Sequence, residues 1–555
     1  MANQSMTRRT FAKGSLAASA LAALAACGKN NTAASGSGSG ATTAAAGNVF
    51  NFYINDPVAI DPYNTQESEG TQVEYELFDS LVNYDFEKGE VVPAACESFE
   101  VNETGDEFTF HLVKGAKFHN GDPVDAESFK RGWQRLLDPK MATPSEIGYH
   151  LDPVEGAAEY AAGDADEVTG LTCPDENTFV VKLTAPMADF AYVCCHPALA
   201  PVPQAAIDDP DSFLLAPIGN GPFKMDGKWE SGQYIDLLKF DDYYGDAPKL
   251  GGIHFSIQKD PNTAFNEFKA GNIDFTSIPT GKFADVEKEY GESEDGYTVT
   301  PGKQTLKGAE SSVYYLAVNL EDEAMKDVNL RRALSLAINR QNIVDTLFEG
   351  TRQPATGMFP PAIDDDEADV WEYSKYDPDQ AKEILDQYYP ADADGKRGIK
   401  VTLNYNSGGG HEDIMTSIQA DFEAVGIEVE QSGEEWAAYL TDLGDGNFQL
   451  GRLGWIADYP TMDNFMYPNF FSTADNNYSK YNNPEVDEKI LAARQITDDE
   501  ERKAAYREIT HLIGEDMPVI PVMFYAHDHV GSNRVKEMYY DTQGKAHLYK
   551  AELDA

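Results

Sequence analysis

The chain is short of positive charge, short of cysteine, and has no apolar run long enough to cross a membrane. Lys and Arg together number 43 against 94 Asp and Glu, a formal net charge of −51. A surface that negative repels phosphate backbones, which excludes nucleic acid as a partner. It also stays off anionic lipid unless something tethers it. No stretch approaches the roughly 20 apolar residues that a membrane-spanning helix requires. The five cysteines contain no Cys-x-x-Cys pair, and neither a Gly-x-Ser-x-Gly elbow nor a phosphate-binding loop occurs. His411-Glu412-Asp413-Ile414-Met415 opens like a zinc-protease helix but lacks the second histidine. Asp392-Ala393-Asp394-Gly395 opens like a calcium loop, yet Val401 stands where a bidentate Glu belongs. His527-Asp528-His529 puts two imidazoles on one strand face, a pattern more often found at a solvated strand end than around a metal. The expectation is therefore no enzyme, no cofactor and no metal.

What is present begins at the N-terminus. Thr7-Arg8-Arg9-Thr10-Phe11-Ala12-Lys13 is a twin-arginine start, an uncharged run covers 14–26, and Cys27 follows. Leu24-Ala25-Ala26-Cys27 reads as a lipobox, so residues 1–27 are expected to be an export signal with Cys27 as the lipidated N-terminus. Two or more acyl chains on one cysteine hold a protein stably at a membrane. Residues 28–47, rich in Ala, Ser, Thr and Gly, form a linker whose mean reach as a coil is roughly 22–27 Å. Setting Cys27 aside leaves Cys96, Cys173, Cys194 and Cys195, for which disulfides and free thiols both stay open. The adjacent Cys194 and Cys195 do not bond to each other without strain.

From Asn48 onward, α and β signals mix without strict alternation. Runs rich in β-branched and aromatic residues predict strands at 49–54, 107–112, 178–183, 234–239, 399–405, 427–431 and 519–525. Helical spacing predicts helices over 330–348, 412–425 and 498–514, the first ending at Gly350. With 42% hydrophobic and 11% aromatic residues, the chain is ample for two or three domains with real cores.

Several segments together resemble family 5 of the extracytoplasmic solute-binding proteins, the peptide- and nickel-binding group, close to its oligopeptide-binding members. They are Asp61-Pro62, Glu76-Leu77-Phe78-Asp79, Lys117-Phe118-His119-Asn120-Gly121-Asp122, and Trp133-Gln134-Arg135-Leu136-Leu137. Further on come Ile218-Gly219-Asn220-Gly221-Pro222-Phe223, Asn329-Leu330-Arg331-Arg332-Ala333-Leu334, and Gly451-Arg452-Leu453-Gly454-Trp455-Ile456-Ala457-Asp458-Tyr459-Pro460. Their order and spacing over nearly the whole chain, more than any one of them, carry the resemblance.

The resemblance implies an α/β, two-lobed periplasmic-binding-protein fold (class II, the large three-domain form) with a ligand cleft at the hinge. Domain I is expected at 48–81, 206–308 and 521–555, domain II at 82–205, and domain III at 309–520. The implied function is a lipid-anchored, extracytoplasmic substrate-binding protein of an ABC importer. As a monomer it captures short peptides and hands them to permease subunits driven by cytoplasmic ATPases. A ligand-sensing receptor of the same fold, or a binder of nickel or another small solute, are the alternatives. By the same resemblance Asp458 pairs with the ligand's α-ammonium group and Arg452 meets its carboxylate. His411 helps hold that carboxylate, Trp436 and Trp455 wall the pocket, and Tyr315 offers its backbone. Without the family frame, Arg452 and Asp458 would be read as a local salt bridge.

Overall fold

The computed structural model describes residues 48–554 except 66, 142, 259 and 365–370. The twin-arginine signal, Cys27 and the linker 28–47 lie outside the described residues.

Three sheets organise the chain. The first strand, Val49–Ile54, alternates half-buried and buried positions, as its alternating sequence dictates. It pairs in parallel with Gly252–Ile257 inside a seven-stranded sheet that runs from Thr305–Leu306 at one edge to Phe223–Met225 at the other. A four-stranded antiparallel sheet holds Glu107–Leu112 and Thr178–Lys182 at its centre. These two sheets make the first lobe. The second lobe carries a six-stranded sheet with Ala309–Val318 flanked by Val519–Ala526 and Leu450–Ile456, and Lys400–Asn406 beyond. A separate hydrophobic core accompanies each sheet: Phe50, Phe255 and Phe275 in one, Phe110, Trp133 and Phe179 in the next, Leu316, Ile418 and Phe465 in the last.

Two strands tie the lobes together. Leu306 in the seven-stranded sheet leads through Lys307-Gly308 into Ala309–Val318, and Val519–Ala526 returns through His527-Asp528 to His529–Gly531. The connectors run side by side, with the His527 N–H donating to the Gly308 carbonyl at 2.7 Å. Both lobes therefore share a hinge four residues wide in cross-section, two from each strand.

Most expected elements fall within a residue or two of their observed bounds. One does not. The helix expected over 330–348 is two helices, Val328–Ala337 and Arg340–Leu347. Asn339 breaks it: its side chain accepts from the Asn342 N–H, restarting the chain as an N-cap, while its own N–H donates to Asp421. Arg340 then turns inward onto the carbonyls of Ser335 and Pro521.

Cys96, Cys173, Cys194 and Cys195 are all free thiols in the structure. Burial pushes the Cys96 thiol up to about 11 and Cys173 to about 12, so neither is a thiolate at neutral pH.

The family-like segments hold one another. Asp61 of Asp61-Pro62 takes both Arg135 guanidinium nitrogens at 2.6 and 2.7 Å, and both side chains are buried. Asn220 bridges the Asp79 backbone, accepting from its N–H and donating to its C=O at 3.0 Å each. A Cβ on the neighbouring Gly219 would meet the Leu77 carbonyl at 1.9 Å, so only glycine fits there. Removing one member of a buried pair strands the other charge. Asp61→Ala should therefore cost about 3–5 kcal/mol, read as a lowered denaturant midpoint of the first lobe's tryptophan signal.

Candidate functional site

A cavity of about 520 Å³ lies between the lobes. Its size falls within the roughly 300–1,000 Å³ of small-molecule sites. Asp458, Arg452, Trp455, Tyr315, Trp436 and His411, the six residues singled out from the sequence, all line it.

Leu450–Ile456 carries Arg452 and Trp455 along the cavity, paired with the Ala309–Val318 strand so that Arg452 lies opposite Leu316. The strand ends at Ile456, and the turn before helix Met462–Phe470 presents Asp458. From Arg452 to Ile456 the strand rises roughly 13 Å. No salt bridge joins Arg452 to Asp458: the guanidinium donates instead to Asn406 Oδ1 at 3.2 Å and Tyr525 Oη at 3.0 Å. It lies over the Tyr314 ring at 4.8 Å, and its buried Nε–H has no partner. The local ion pair is thereby replaced by a cation held in place by neutral groups.

His411 stands beside it as the first residue of helix His411–Ala424, whose N-terminus has no side-chain cap. Its Nδ1 is 3.5 Å from Tyr314 Oη. Burial, with Arg452 and Arg352 adding positive charge, pushes its pKa down to about 2, so the ring is neutral. A guanidinium, a neutral imidazole and an uncapped helix start make a corner suited to a carboxylate.

Asp458 occupies a different corner. Asn464, fully buried, organises it: Asn464 Oδ1 accepts from the Asp458 N–H at 2.9 Å and from Trp455 Nε1 at 3.0 Å, and its Nδ2 donates to Asp458 Oδ2 at 2.9 Å. From the opposite lobe, Tyr149 Oη donates to the same carboxylate oxygen. Behind Tyr149 the rings of His150 and His196 stack at centroid distances of 4.3 and 4.7 Å. Their Nε2 atoms stand 4.0 and 3.9 Å from Asp458. Burial lowers the pKa of both histidines, that of His196 to about 3. The groups in hydrogen-bonding contact with Asp458 are thus neutral, Lys545 acts on it only at longer range, and its side chain is 22% exposed.

His150, His196 and Asp458 are, among the described residues, the one trio whose potential metal-ligating atoms lie within 4.8 Å of one another. His150 points its protonated Nδ1 at the Ile147 carbonyl and leaves Nε2 free, but the His196 proton argues against a metal. His196 Nδ1 accepts from the Ala198 N–H at 3.1 Å, so the neutral ring carries its proton on Nε2, the atom that would have to coordinate.

Tyr315 is placed differently from the expectation. It belongs to an interior strand, with Leu453 on one side and Pro521 on the other, so its backbone is not a free edge. Its hydroxyl donates to Asn469 Oδ1 at 3.3 Å, leaving the residue as cavity wall. Tyr149, His196, Asn464 and Lys545 went unnoticed in the sequence. None sits in a spacing pattern of its own, and only the fold brings them to Asp458.

The model of bacterial extracellular solute-binding proteins, family 5, matches residues 90–477. The chain is 30% identical to the probable deoxycholate-binding periplasmic protein of Escherichia coli K12, covering 85% of this chain and 86% of that one. It is 28% identical to the periplasmic oligopeptide-binding protein of Haemophilus influenzae, covering 90% and 92%. The crystal structure of Haemophilus influenzae OppA in complex with RPPGFSPFR superposes with a TM-score of 0.80 at 28% identity, covering 91% of this chain and 99% of that one.

The imidazoles give a direct check. His196 and His411 should show no change in imidazole carbon shifts between about pH 5 and pH 8, where an exposed histidine titrates. Because their folded pKa values lie below the ordinary 6.5, the unfolded chain takes up protons first on acidification. The stability each lends is intact above 6.5 and drains away as pH falls towards 3 or 2, by up to about 1.4 kcal/mol per pH unit.

Proposed function

The chain belongs to family 5 of the bacterial extracellular solute-binding proteins, and from that membership we propose that it captures short peptides between its lobes. One observation carries the reading: a cavity between the lobes offers, at Asp458, a carboxylate in no salt bridge with a lysine or arginine and, at Arg452, a guanidinium in no salt bridge with a carboxylate. A free peptide is the complementary zwitterion. Its α-ammonium supplies three donors to Asp458, and its carboxylate fits the planar guanidinium fork of Arg452 beside His411. Trp436 and Trp455 give apolar walls that tolerate different side chains, and waters in the cavity satisfy polar ones.

Closure follows from the same contact. Tyr149 belongs to the first lobe and Asp458 to the second, so the amine corner is complete only when the lobes meet. Delivery to a membrane permease of the ABC type, with the protein anchored outside the cytoplasm through Cys27, completes the proposal.

One relative is named for deoxycholate, and a bile acid is the second reading. It brings a carboxylate for Arg452 but no cation, and would leave Asp458 enclosed and unpaired, which is costly. The cavity therefore favours the zwitterion.

Titration calorimetry with a tripeptide, its N-acetylated form and deoxycholate separates these cases. The free tripeptide should bind, and acetylation or Asp458→Ala should each cost about 2–5 kcal/mol, the range for breaking an enclosed charge pair. Equal binding of free and acetylated peptide, or tight binding of deoxycholate alone, would overturn the reading.

A further inference from the structure

Lys545 is a lysine turned into the cavity, and only 7% of it is exposed. It comes from the C-terminal end of the chain, on a turn between the bridged residues Tyr540 and Ala546. That turn lies against the amine corner, because Gln543 Nε2 donates to the carbonyl of Ala457, the residue before Asp458, at 2.5 Å.

The ammonium group of a lysine has three N–H donors. Among the described residues the Lys545 group makes one hydrogen bond, to the Ser68 carbonyl at 3.0 Å. Four carboxylates, Glu69, Asp541, Glu67 and Asp458, act on it electrostatically, and a fifth, the buried Glu74, feels its charge while accepting from Thr65; none comes within salt-bridge distance. Three of the four are otherwise engaged. Glu69 accepts from Asn55 at 2.8 Å. Asp541 takes the His547 ring at 2.7 Å and the Lys545 and Gln543 backbone N–H groups. Glu67 accepts from the Val58 and Gly70 N–H groups, and burial pushes its pKa up. The fourth, Asp458, is the group already assigned to the ligand amine. A buried cation with two donors to spare thus faces the cavity beside that corner, and burial outweighs the surrounding carboxylates in setting its pKa below the ordinary lysine value.

We propose that Lys545 is a specificity-determining residue that selects peptides carrying an acidic side chain at the first or second position. This rests on the peptide reading above. A ligand carboxylate there supplies the acceptors that Lys545 lacks, while a ligand lysine or arginine would meet a like charge in an enclosed space.

The test is a calorimetric panel of free tripeptides: Ala-Ala-Ala, and versions with Glu or Lys at position one or two. Wild-type protein should bind the Glu peptides at least about tenfold tighter than the Lys peptides, as expected for a charge-assisted hydrogen bond. Lys545→Met should reduce that ratio to about threefold or less, and Lys545→Arg should retain it. Wild-type protein that prefers Lys peptides, or shows no preference, overturns the inference before any variant is made. A ratio unchanged in a folded Lys545→Met does the same, with folding verified by an unaltered thermal midpoint. These outcomes leave the peptide reading standing. If no free tripeptide binds wild-type protein, the peptide reading falls and the role of Lys545 falls with it.

Discussion

A carboxylate held where two lobes meet, with only neutral groups in hydrogen-bonding contact and no salt bridge to a lysine or arginine, is the constraint from which the site's other properties follow. Asp458 receives hydrogen bonds from Tyr149 and Asn464, and the nearest titratable rings, His150 and His196, are kept uncharged by burial. An enclosed anion of this kind is costly, and its cost is offset only by a partner of opposite charge. Had either histidine been protonated, the ion pair would be internal and the cavity beside it would have nothing to ask of a ligand. The stacked Tyr149, His150 and His196 rings therefore do two things at once. They bring the first lobe to the carboxylate, and they bring no charge with them.

The second constraint is mechanical. The lobes are joined by two short connectors, so their relative position depends on contacts made across the cleft. Some of those lie outside the cavity. Arg502 reaches Asp189 at 3.1 Å, and Tyr467 donates to Asp152 at 2.9 Å. Both side chains of the Arg502–Asp189 pair are buried, so the attraction between them is largely offset by the cost of taking both charges out of water. Such contacts bias closure without deciding it, which leaves the decision to whatever fills the enclosed corners of Asp458 and Arg452. A protein that must both take and release its cargo needs that division. Strong contacts outside the cavity would hold the lobes shut whether or not anything lay between them.

The strands were legible because alternation and β-branched runs record burial on one face, and the observed bounds of Val49–Ile54, Glu107–Leu112 and Tyr234–Lys239 coincide with those expected. The helix break at Asn339 was not legible, since the apolar spacing runs on through it. What interrupts it is a capping side chain and a distant partner, Asp421. Arg452, Trp455 and Asp458 lie in one family-like segment and the other cavity residues follow from the resemblance, but most residues of those segments are scaffold. Arg331 and Arg340 spend their guanidinium groups on backbone carbonyls, and Asp61, Arg135 and Asn220 bind one another's neighbourhoods. Tyr149, His196, Asn464 and Lys545 left no trace in spacing. Tyr149 and His196 come to Asp458 from the opposite lobe, hundreds of residues away in sequence, Lys545 enters the same cavity from the C-terminal end, and Asn464, six residues on, is aimed back by the turn before its helix; a pattern read along the chain has no access to that.

The chain's charge and the cavity's charge do different jobs. A net charge of −51 gives a zwitterion no net pull, so it cannot select the ligand. Selection has to occur at contact range, where water is excluded and a charge counts for much more. Among the described residues only two of the 43 lysines and arginines, Arg452 and Lys545, line the cavity. Lys545 is buried and Arg452 half-buried, and both retain donors that the protein leaves unused. In a chain so poor in positive charge, two cations at a shared cavity without dedicated counter-ions place the discriminating chemistry there. The acidic exterior serves solubility, and the few enclosed charges serve recognition.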